Sequence, residues 1–168
     1  RLDKSQAPLR GQRLAAGAAD VAMIPCIEYQ RIPGLRVLPG MAIASRRQAR
    51  SVLLISRVAA PEIRRVALDT SSRTSAALAR IWLDRRTRER VEYTEVTPRF
   101  PAMMEHFDAA LLIGDPALRA DTRGFRVYDL AEQWFEMTGL PFVFAFWAVR
   151  PGVRLPEGTP PFVASRKL

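Results

Sequence analysis

The chain of 168 residues, 48% hydrophobic and 26% charged, has the composition of a globular protein with one domain or two small ones. No apolar run approaches the roughly 18 to 20 residues of a membrane-spanning helix, and residues 1–14 lack the apolar core of a signal peptide. The single cysteine, Cys26, excludes an internal disulfide and a multi-cysteine metal site, so we expect a reducing cytoplasm and no bound metal.

The net charge of +9 raises the question of nucleic-acid binding. Arginines number 24 and lysines only 2, a skew that is typical of a GC-rich genome. The basic residues are scattered, and the densest cluster, at 84–90, contains Asp84 and Glu89 and no aromatic residue for base stacking. The pattern therefore favours a small anionic ligand over nucleic acid.

The first third of the chain predicts short elements. Residues 9–19 favour a helix that Gly11 and Gly17 interrupt, and residues 20–25 favour a strand that ends at a proline. We expect a helical turn after this strand, then two short apolar runs separated by the Pro-Gly turn at 39–40, and a buried strand over 50–58.

From residue 64 onward strands and helices alternate. We expect strands at 64–69, 91–96, 108–115 and 140–150, helices at 74–86 and 127–139, and a helical turn at 99–107. In the helix at 127–139, Leu130, Trp134 and Met137 share one face and Gly139 is placed to end it. This alternation predicts an α/β fold with a largely parallel sheet.

Three of the predicted strands end in polar residues: "IPCIEY" follows the first, "DTSSRTS" follows the strand at 64–69, and "GDPAL" follows the strand at 108–113. Ligands of open α/β sheets bind beyond the carboxyl ends of the strands. We therefore expect these three segments to lie around one binding site.

The segment "SSRTS" at 71–75 is the strongest candidate for binding. A helix N-terminus presents unpaired N–H groups and partial positive charge, to which hydroxyls and an arginine add donors for a carboxylate or phosphate. The predicted anion-binding residues are Ser71, Ser72, Arg73, Thr74 and Ser75. The alternative is a simple helix cap, which needs only one hydroxyl. The absence of glycine argues against a P-loop.

Two carboxylates follow predicted strand ends. Glu28 and Asp115 are candidates for acid–base work, with helix capping or turn formation as the alternative for each. For His106 and Cys26 the sequence favours structural roles. The sequence contains no GxGxxG motif and so gives no indication of a dinucleotide cofactor.

Five stretches carry a family resemblance: "ADVAMIPCIEY", "RSVLLISR", "VALDTSSRTSAALARIWL", "DAALLIGDPAL" and "DLAEQWFEMTGLPFVFAFWAVR". In this order and spacing the chain resembles the chorismate dehydratases of the futalosine route to menaquinone, over residues 19–150. The resemblance implies a two-lobed fold of the type II periplasmic-binding-protein kind with a central cleft. It also implies an incomplete first lobe, with residues 1–50 as part of lobe 1, 51–145 as lobe 2 and 146–168 returning to lobe 1.

The resemblance further implies a lyase that removes water from chorismate to give 3-[(1-carboxyvinyl)oxy]benzoate, without a cofactor or metal. Segments that the family has before and after this stretch are missing, so we expect a chain truncated at both ends whose first lobe exposes apolar surface. Whether such a chain is active alone, and in which oligomeric state, stays open. A non-catalytic two-lobed module that binds a small carboxylate metabolite is the alternative.

Overall fold

The structure is a computed structural model that describes residues 7–69 and 71–155, except for the side chains of residues 7 and 8. Thr70 of the hydroxyl-rich segment, and 156–168 of the predicted return segment, lie outside the described residues. The chain divides into two compact units. Unit 1 comprises Arg1–Ile43 and Val143–Leu168, and unit 2 comprises Ala44–Phe142.

The helices and strands are, in chain order, α1 (Ala7–Ala15), β1 (Val21–Pro25), β2 (Arg36–Ser45), β3 (Val52–Ser56), β4 (Arg65–Asp69), α2 (Arg73–Asp84), β5 (Glu92–Val96), β6 (Ala109–Ile113), α3 (Asp115–Arg119), β7 (Arg126–Asp129), α4 (Leu130–Thr138) and β8 (Phe142–Val149). Three short 3-10 helices cover Cys26–Gln30, Ala60–Glu62 and Ala102–Glu105. The first and third of these occupy the two predicted helical turns.

Unit 1 is built on a three-stranded sheet of order β1-β8-β2, in which β1 and β8 are antiparallel. Alternate residues of the strands and the apolar face of α1 form its core, with Leu14, Ile24 and Ala148 at most 1% exposed. The expectation that an incomplete first lobe exposes apolar surface stays a prediction, since large apolar side chains are exposed in both units. Val37 is 44% exposed, and an apolar hollow of about 600 Å³ is lined in part by Met23, Phe146 and Trp147.

The expected Pro-Gly turn at 39–40 is wrong, because β2 runs through it without interruption. Gly40 adopts a φ of 82°, a left-handed backbone conformation that glycine reaches without strain. β2 is an edge strand of its sheet, and an edge position tolerates the missing N–H of Pro39.

Unit 2 is built on a five-stranded sheet of order β5-β4-β6-β3-β7. The strands β4, β5 and β6 are parallel, with Asp69 opposite Val96 and Ala67 opposite Ala110. The prediction of a largely parallel sheet is only partly right, since β3 is antiparallel to both β6 and β7. Hydrophobic patterning could not reveal this, because a buried strand shows the same apolar run in either direction.

Both faces of the five-stranded sheet are covered, which is why its central strands are apolar throughout. On one face α2 and α4 pack together, where the Trp82 Nε1–H donates to Gln133 Oε1 at 3.0 Å. On the other face Met103 and Met104 of a 3-10 helix pack against Ile55 and Leu112. Unit 2 therefore forms its own hydrophobic core.

The predicted helix at 127–139 begins later than expected. Residues 126–129 form the edge strand β7, and the carboxylate of Asp129 caps α4 by accepting hydrogen bonds from the N–H groups of Ala131 and Glu132. The predicted end is confirmed, because Gly139 adopts a left-handed φ of 72° and its N–H donates to the Phe135 carbonyl at 2.7 Å.

Candidate functional site

The carboxyl edge of the five-stranded sheet brings together two of the three polar segments singled out in the sequence. Because β4 and β6 are parallel neighbours, the start of α2 and the start of α3 follow strands that end at the same edge. The third segment follows β1, which belongs to the sheet of unit 1, so it does not share this edge, and one site formed by all three segments stays a prediction. Periodicity in the sequence does not say which strands share a sheet.

The hydroxyl of Ser72 caps α2. Ser72 has an extended backbone and its Oγ accepts a hydrogen bond from the Ser75 N–H at 3.3 Å, while its carbonyl accepts one from the Ala76 N–H at 3.1 Å. The Oγ atoms of Ser72 and Ser75 are 3.1 Å apart, within hydrogen-bond distance. One of the five predicted anion-binding residues thus serves the helix itself, as the alternative interpretation required.

The five predicted residues differ in exposure. Ser71 is exposed, Ser72 and Arg73 are half-buried, and Thr74 and Ser75 are only 3% and 1% exposed. Ser71 is therefore the most exposed member of the set. Binding by all five stays a prediction.

The electrostatic setting of the start of α2 favours an anion. The helix is twelve residues long, has no acidic residue in its first turn, and begins with the cationic Arg73. Aligned peptide dipoles place partial positive charge at this end. A ligand carboxylate at this position would meet the positive end of the helix dipole, the Ser71 hydroxyl and a guanidinium.

The sequence interpretation missed Asp69, the last residue of β4. Its carboxylate is 2% exposed, and Oδ1 accepts a hydrogen bond from the Ser71 N–H at 2.8 Å. Its Oδ2 is buried and has no hydrogen-bond partner among the described residues. The signal in the sequence was an acidic residue at the end of the otherwise apolar strand "VALD", directly before the hydroxyls.

Glu28 lies in unit 1, in the 3-10 helix Cys26–Gln30, and is 4% exposed. Its Oε1 is 3.7 Å from Nη1 of Arg31, and its Oε2 would lie 3.3 Å from a Cβ added to Gly11. Gly11 therefore provides the space in α1 that the Glu28 carboxylate occupies. This packing gives Glu28 a structural role in unit 1, and an acid–base role stays a prediction.

Asp115 is the first residue of α3, where an acidic side chain suits the helix dipole. Its Oδ2 accepts a hydrogen bond from Nη2 of Arg119 at 3.2 Å, and both side chains are largely exposed. Asp115 shares the sheet edge with the start of α2, as expected. Its acid–base role also stays a prediction.

His106 and Cys26 are the two residues for which we expect structural roles. His106 is exposed and follows the 3-10 helix Ala102–Glu105, and Cys26 is half-buried in unit 1. Within residues 7–69 and 71–155, no group of three or more His, Cys, Asp or Glu side chains is arranged to hold a metal ion. In the same part of the chain, no helix combines the length and apolar character needed to cross a membrane.

The sequence matches a protein-family model described as menaquinone biosynthesis over residues 11–161. It is also 33% identical to a chorismate dehydratase of Thermus thermophilus, in an alignment that covers 82% of this chain and 56% of that protein. The chain thus spans little more than half the length of this relative.

Solved structures support the fold. Protein AF1704 from Archaeoglobus fulgidus superposes with a TM-score of 0.68 at 17% identity, covering 90% of this chain and 57% of that one. The periplasmic aliphatic sulphonate binding protein SsuA from Escherichia coli gives 0.53 at 16% identity, covering 85% and 51%. The predicted α/β fold of periplasmic-binding-protein type is confirmed.

Proposed function

The chain belongs to the menaquinone biosynthesis family, and from this membership we propose that the whole protein is a chorismate dehydratase of the futalosine route. The proposed reaction is a hydro-lyase step that removes water from chorismate to give 3-[(1-carboxyvinyl)oxy]benzoate. The relative from Thermus thermophilus supports the activity, and the resemblance of the quoted motifs supports the route and the product.

The observation that carries the proposal is the start of α2. Chorismate has two carboxylates, and the helix end offers the exposed Ser71, the half-buried Arg73 and the positive end of the helix dipole at one point. Arginine binds a carboxylate through two parallel hydrogen bonds when the geometry allows, so it fixes orientation as well as charge. We assign this end of α2 to one substrate carboxylate.

The dehydration needs a fixed substrate and movement of a proton. A ring proton leaves, the bond between the ring and the hydroxyl oxygen breaks, and formation of the aromatic ring supplies the driving force. Holding a carboxylate at α2 contributes by orientation, which lowers the entropic part of the barrier. Glu28 and Asp115 stay the proposed candidates for acid–base work. Glu28→Gln and Asp115→Asn test the two candidates separately. The substitution that removes the acid–base group should lower kcat at saturating chorismate.

The proposal also covers partners and location. The expected partner is a small anionic substrate, which suits the net charge of +9. A cytoplasmic location rests on the single cysteine, Cys26, and is part of the proposal.

Loss of the diene absorbance of chorismate tests the proposed activity. The full chain is incubated with chorismate, and the product is identified by mass and by its aromatic spectrum. Loss of absorbance with formation of the dehydrated product supports the proposal. Saturable binding without a spectral change would support the non-catalytic binding module instead. The absence of both binding and turnover would contradict the dehydratase and the binding module alike.

A further inference from the structure

Unit 2 contains a cavity of about 670 Å³ whose lining shares no residue with the segment 71–75 and does not include Asp115. Its charged residues are Arg99, Arg119, Asp121 and Arg123, and the others are three prolines, Ala120, Phe100 and Phe125. The loop after β5 supplies one part of this lining, and α3 with the loop before β7 supplies the other. Cavities of this volume hold small organic molecules.

The charged residues give the cavity a positive balance. Arg123 donates hydrogen bonds to both carboxylate oxygens of Asp121, so the negative charge of the lining is already paired. Nη2 of Arg119 donates to Asp115 at 3.2 Å. Arg99 is exposed, and its side chain forms no hydrogen bond or ion pair with the residues that the structure describes. The lining therefore retains one guanidinium for an anion from outside the chain.

Two aromatic side chains form much of the apolar part of the lining. The rings of Phe100 and Phe125 lie edge to face, with their centroids 5.4 Å apart. Both side chains are half-buried and pack against the core cluster that contains Met103 and Leu112, so the core holds them in place. Such rings offer a large apolar contact area in a defined geometry. An apolar surface beside a guanidinium suits a ligand that has both a ring and a negative charge.

We propose that this cavity binds a small organic anion with an aromatic body, whose anionic group contacts Arg99 and whose ring packs against Phe100 and Phe125. An inorganic anion would leave the apolar surface in contact with water, and a neutral aromatic molecule would leave the guanidinium without a counter-charge. Both parts of the ligand therefore contribute to its affinity. The cavity is a second binding site, and its role does not depend on the proposed function.

Isothermal titration calorimetry of the full chain with 2-naphthoate tests the site. The comparison ligands are 2-naphthamide, which lacks the charge, and inorganic phosphate, which lacks the ring, and we expect 2-naphthoate to bind roughly fivefold or more tightly than either. Arg99→Gln should weaken 2-naphthoate binding by a similar factor. The matched control, Arg88→Gln, removes the same charge from an exposed position outside the cavity and should leave the affinity unchanged. The effect of Arg99→Gln should persist in an Arg73→Ala background, which separates this cavity from the start of α2.

Protection from phenylglyoxal is a second measurement and needs no variant. The reagent modifies guanidinium groups, and mass spectrometry of the peptides locates the modified arginines. We expect 2-naphthoate to slow the modification of Arg99 and to leave that of Arg88 unchanged. The proposal would be overturned by equal effects of Arg99→Gln and Arg88→Gln, by equal affinities for 2-naphthoate and 2-naphthamide, or by loss of the Arg99→Gln effect in the Arg73→Ala background. An Arg99 that 2-naphthoate leaves unprotected would overturn it as well.

Discussion

The Oγ of Ser72 accepts a hydrogen bond from the backbone N–H of Ser75 at 3.3 Å and lies 3.1 Å from the Ser75 Oγ. These two hydroxyls therefore make hydrogen bonds within the first turn of α2. This arrangement divides the hydroxyl-rich segment into residues that stabilise the helix and residues that face outward, of which Ser71 is exposed. The two groups should respond differently to substitution.

Ser72→Ala should lower the free energy of unfolding by about 1 kcal/mol, the usual effect of losing a helix cap. Ser71→Ala should leave stability nearly unchanged, because its hydroxyl is exposed, but should weaken chorismate binding. Chemical denaturation of the two variants, together with chorismate titrations, measures both effects. Equal losses of stability would show that the division between cap and outward-facing residues is wrong.

Substitution of Asp129 should destabilise unit 2 more than substitution of most of its other polar residues. Its Oδ1 accepts hydrogen bonds from the N–H groups of Ala131 and Glu132, and its Oδ2 accepts them from Ala49 and Arg50 at 2.9 and 2.6 Å. Asp129→Ala should therefore lower the free energy of unfolding by at least about 2 kcal/mol.

The matched control for Asp129 is Asp121→Ala. Asp121 pairs with Arg123 at the surface, where both side chains are exposed, and exposed ion pairs contribute little to stability. Urea denaturation of both variants makes the comparison. A small loss for Asp129→Ala would mean that other donors and acceptors replace the four hydrogen bonds.

Tyr93 should make stability fall at high pH. Burial, with a further contribution from the nearby Asp84, raises the pKa of Tyr93 from 10.0 to about 12, while Arg80 acts in the opposite direction. The unfolded chain ionises first, so this contribution to stability is complete below pH about 10 and is lost as the pH rises toward 12. Asp84→Asn should lower the pKa of Tyr93.

Tyrosinate absorbance during an alkaline titration, compared with that of Tyr93→Phe, isolates the Tyr93 pKa. The same variant should be as stable as wild type or more so at neutral pH, because the Tyr93 hydroxyl is buried and has no hydrogen-bond partner among the described residues. A marked loss of stability in Tyr93→Phe would show that this hydroxyl has a partner.

Gly11 and Glu28 should be energetically coupled. A Cβ at position 11 would lie 3.2 Å from Glu28 Cγ, so Gly11→Ala should gain little from the higher helix propensity of alanine in the wild-type chain. In a Glu28→Ala background the obstacle is gone, and the same substitution should stabilise by about 1 kcal/mol. A double-mutant cycle measured by thermal unfolding gives the coupling. Additive effects would contradict the packing of Glu28 against α1.

Much of the fold could be predicted from local patterns. The strands β1, β3, β4 and β6 are short apolar runs, and the Ser72 cap and Gly139 mark the ends of α2 and α4 by local rules. The course of β2 through residues 39–40 could not be predicted from local patterns, because it depends on the place of β2 at a sheet edge. Strand direction in unit 2 likewise depends on long-range pairing.

The candidate site could be predicted only in part, because local sequence patterns reveal the hydroxyls but not the burial of a side chain. The hydroxyls before α2 stand out in the sequence because few loops need so many. Asp69 was missed because its importance lies in burial and in an oxygen without a donor, which only tertiary structure determines. Conversely, Glu28 follows a strand end in the sequence, but β1 lies in the sheet of unit 1.

Chorismate affinity of Arg73→Ala, set against that of Arg88→Ala, tests the anion-binding role of α2 most directly. Both variants remove one positive charge, but Arg73 begins α2, whereas Arg88 is exposed beyond its far end. Loss of a guanidinium–carboxylate contact should weaken binding roughly tenfold or more for Arg73→Ala and hardly at all for Arg88→Ala. Equal affinities of the two variants would contradict the assignment of a substrate carboxylate to the start of α2.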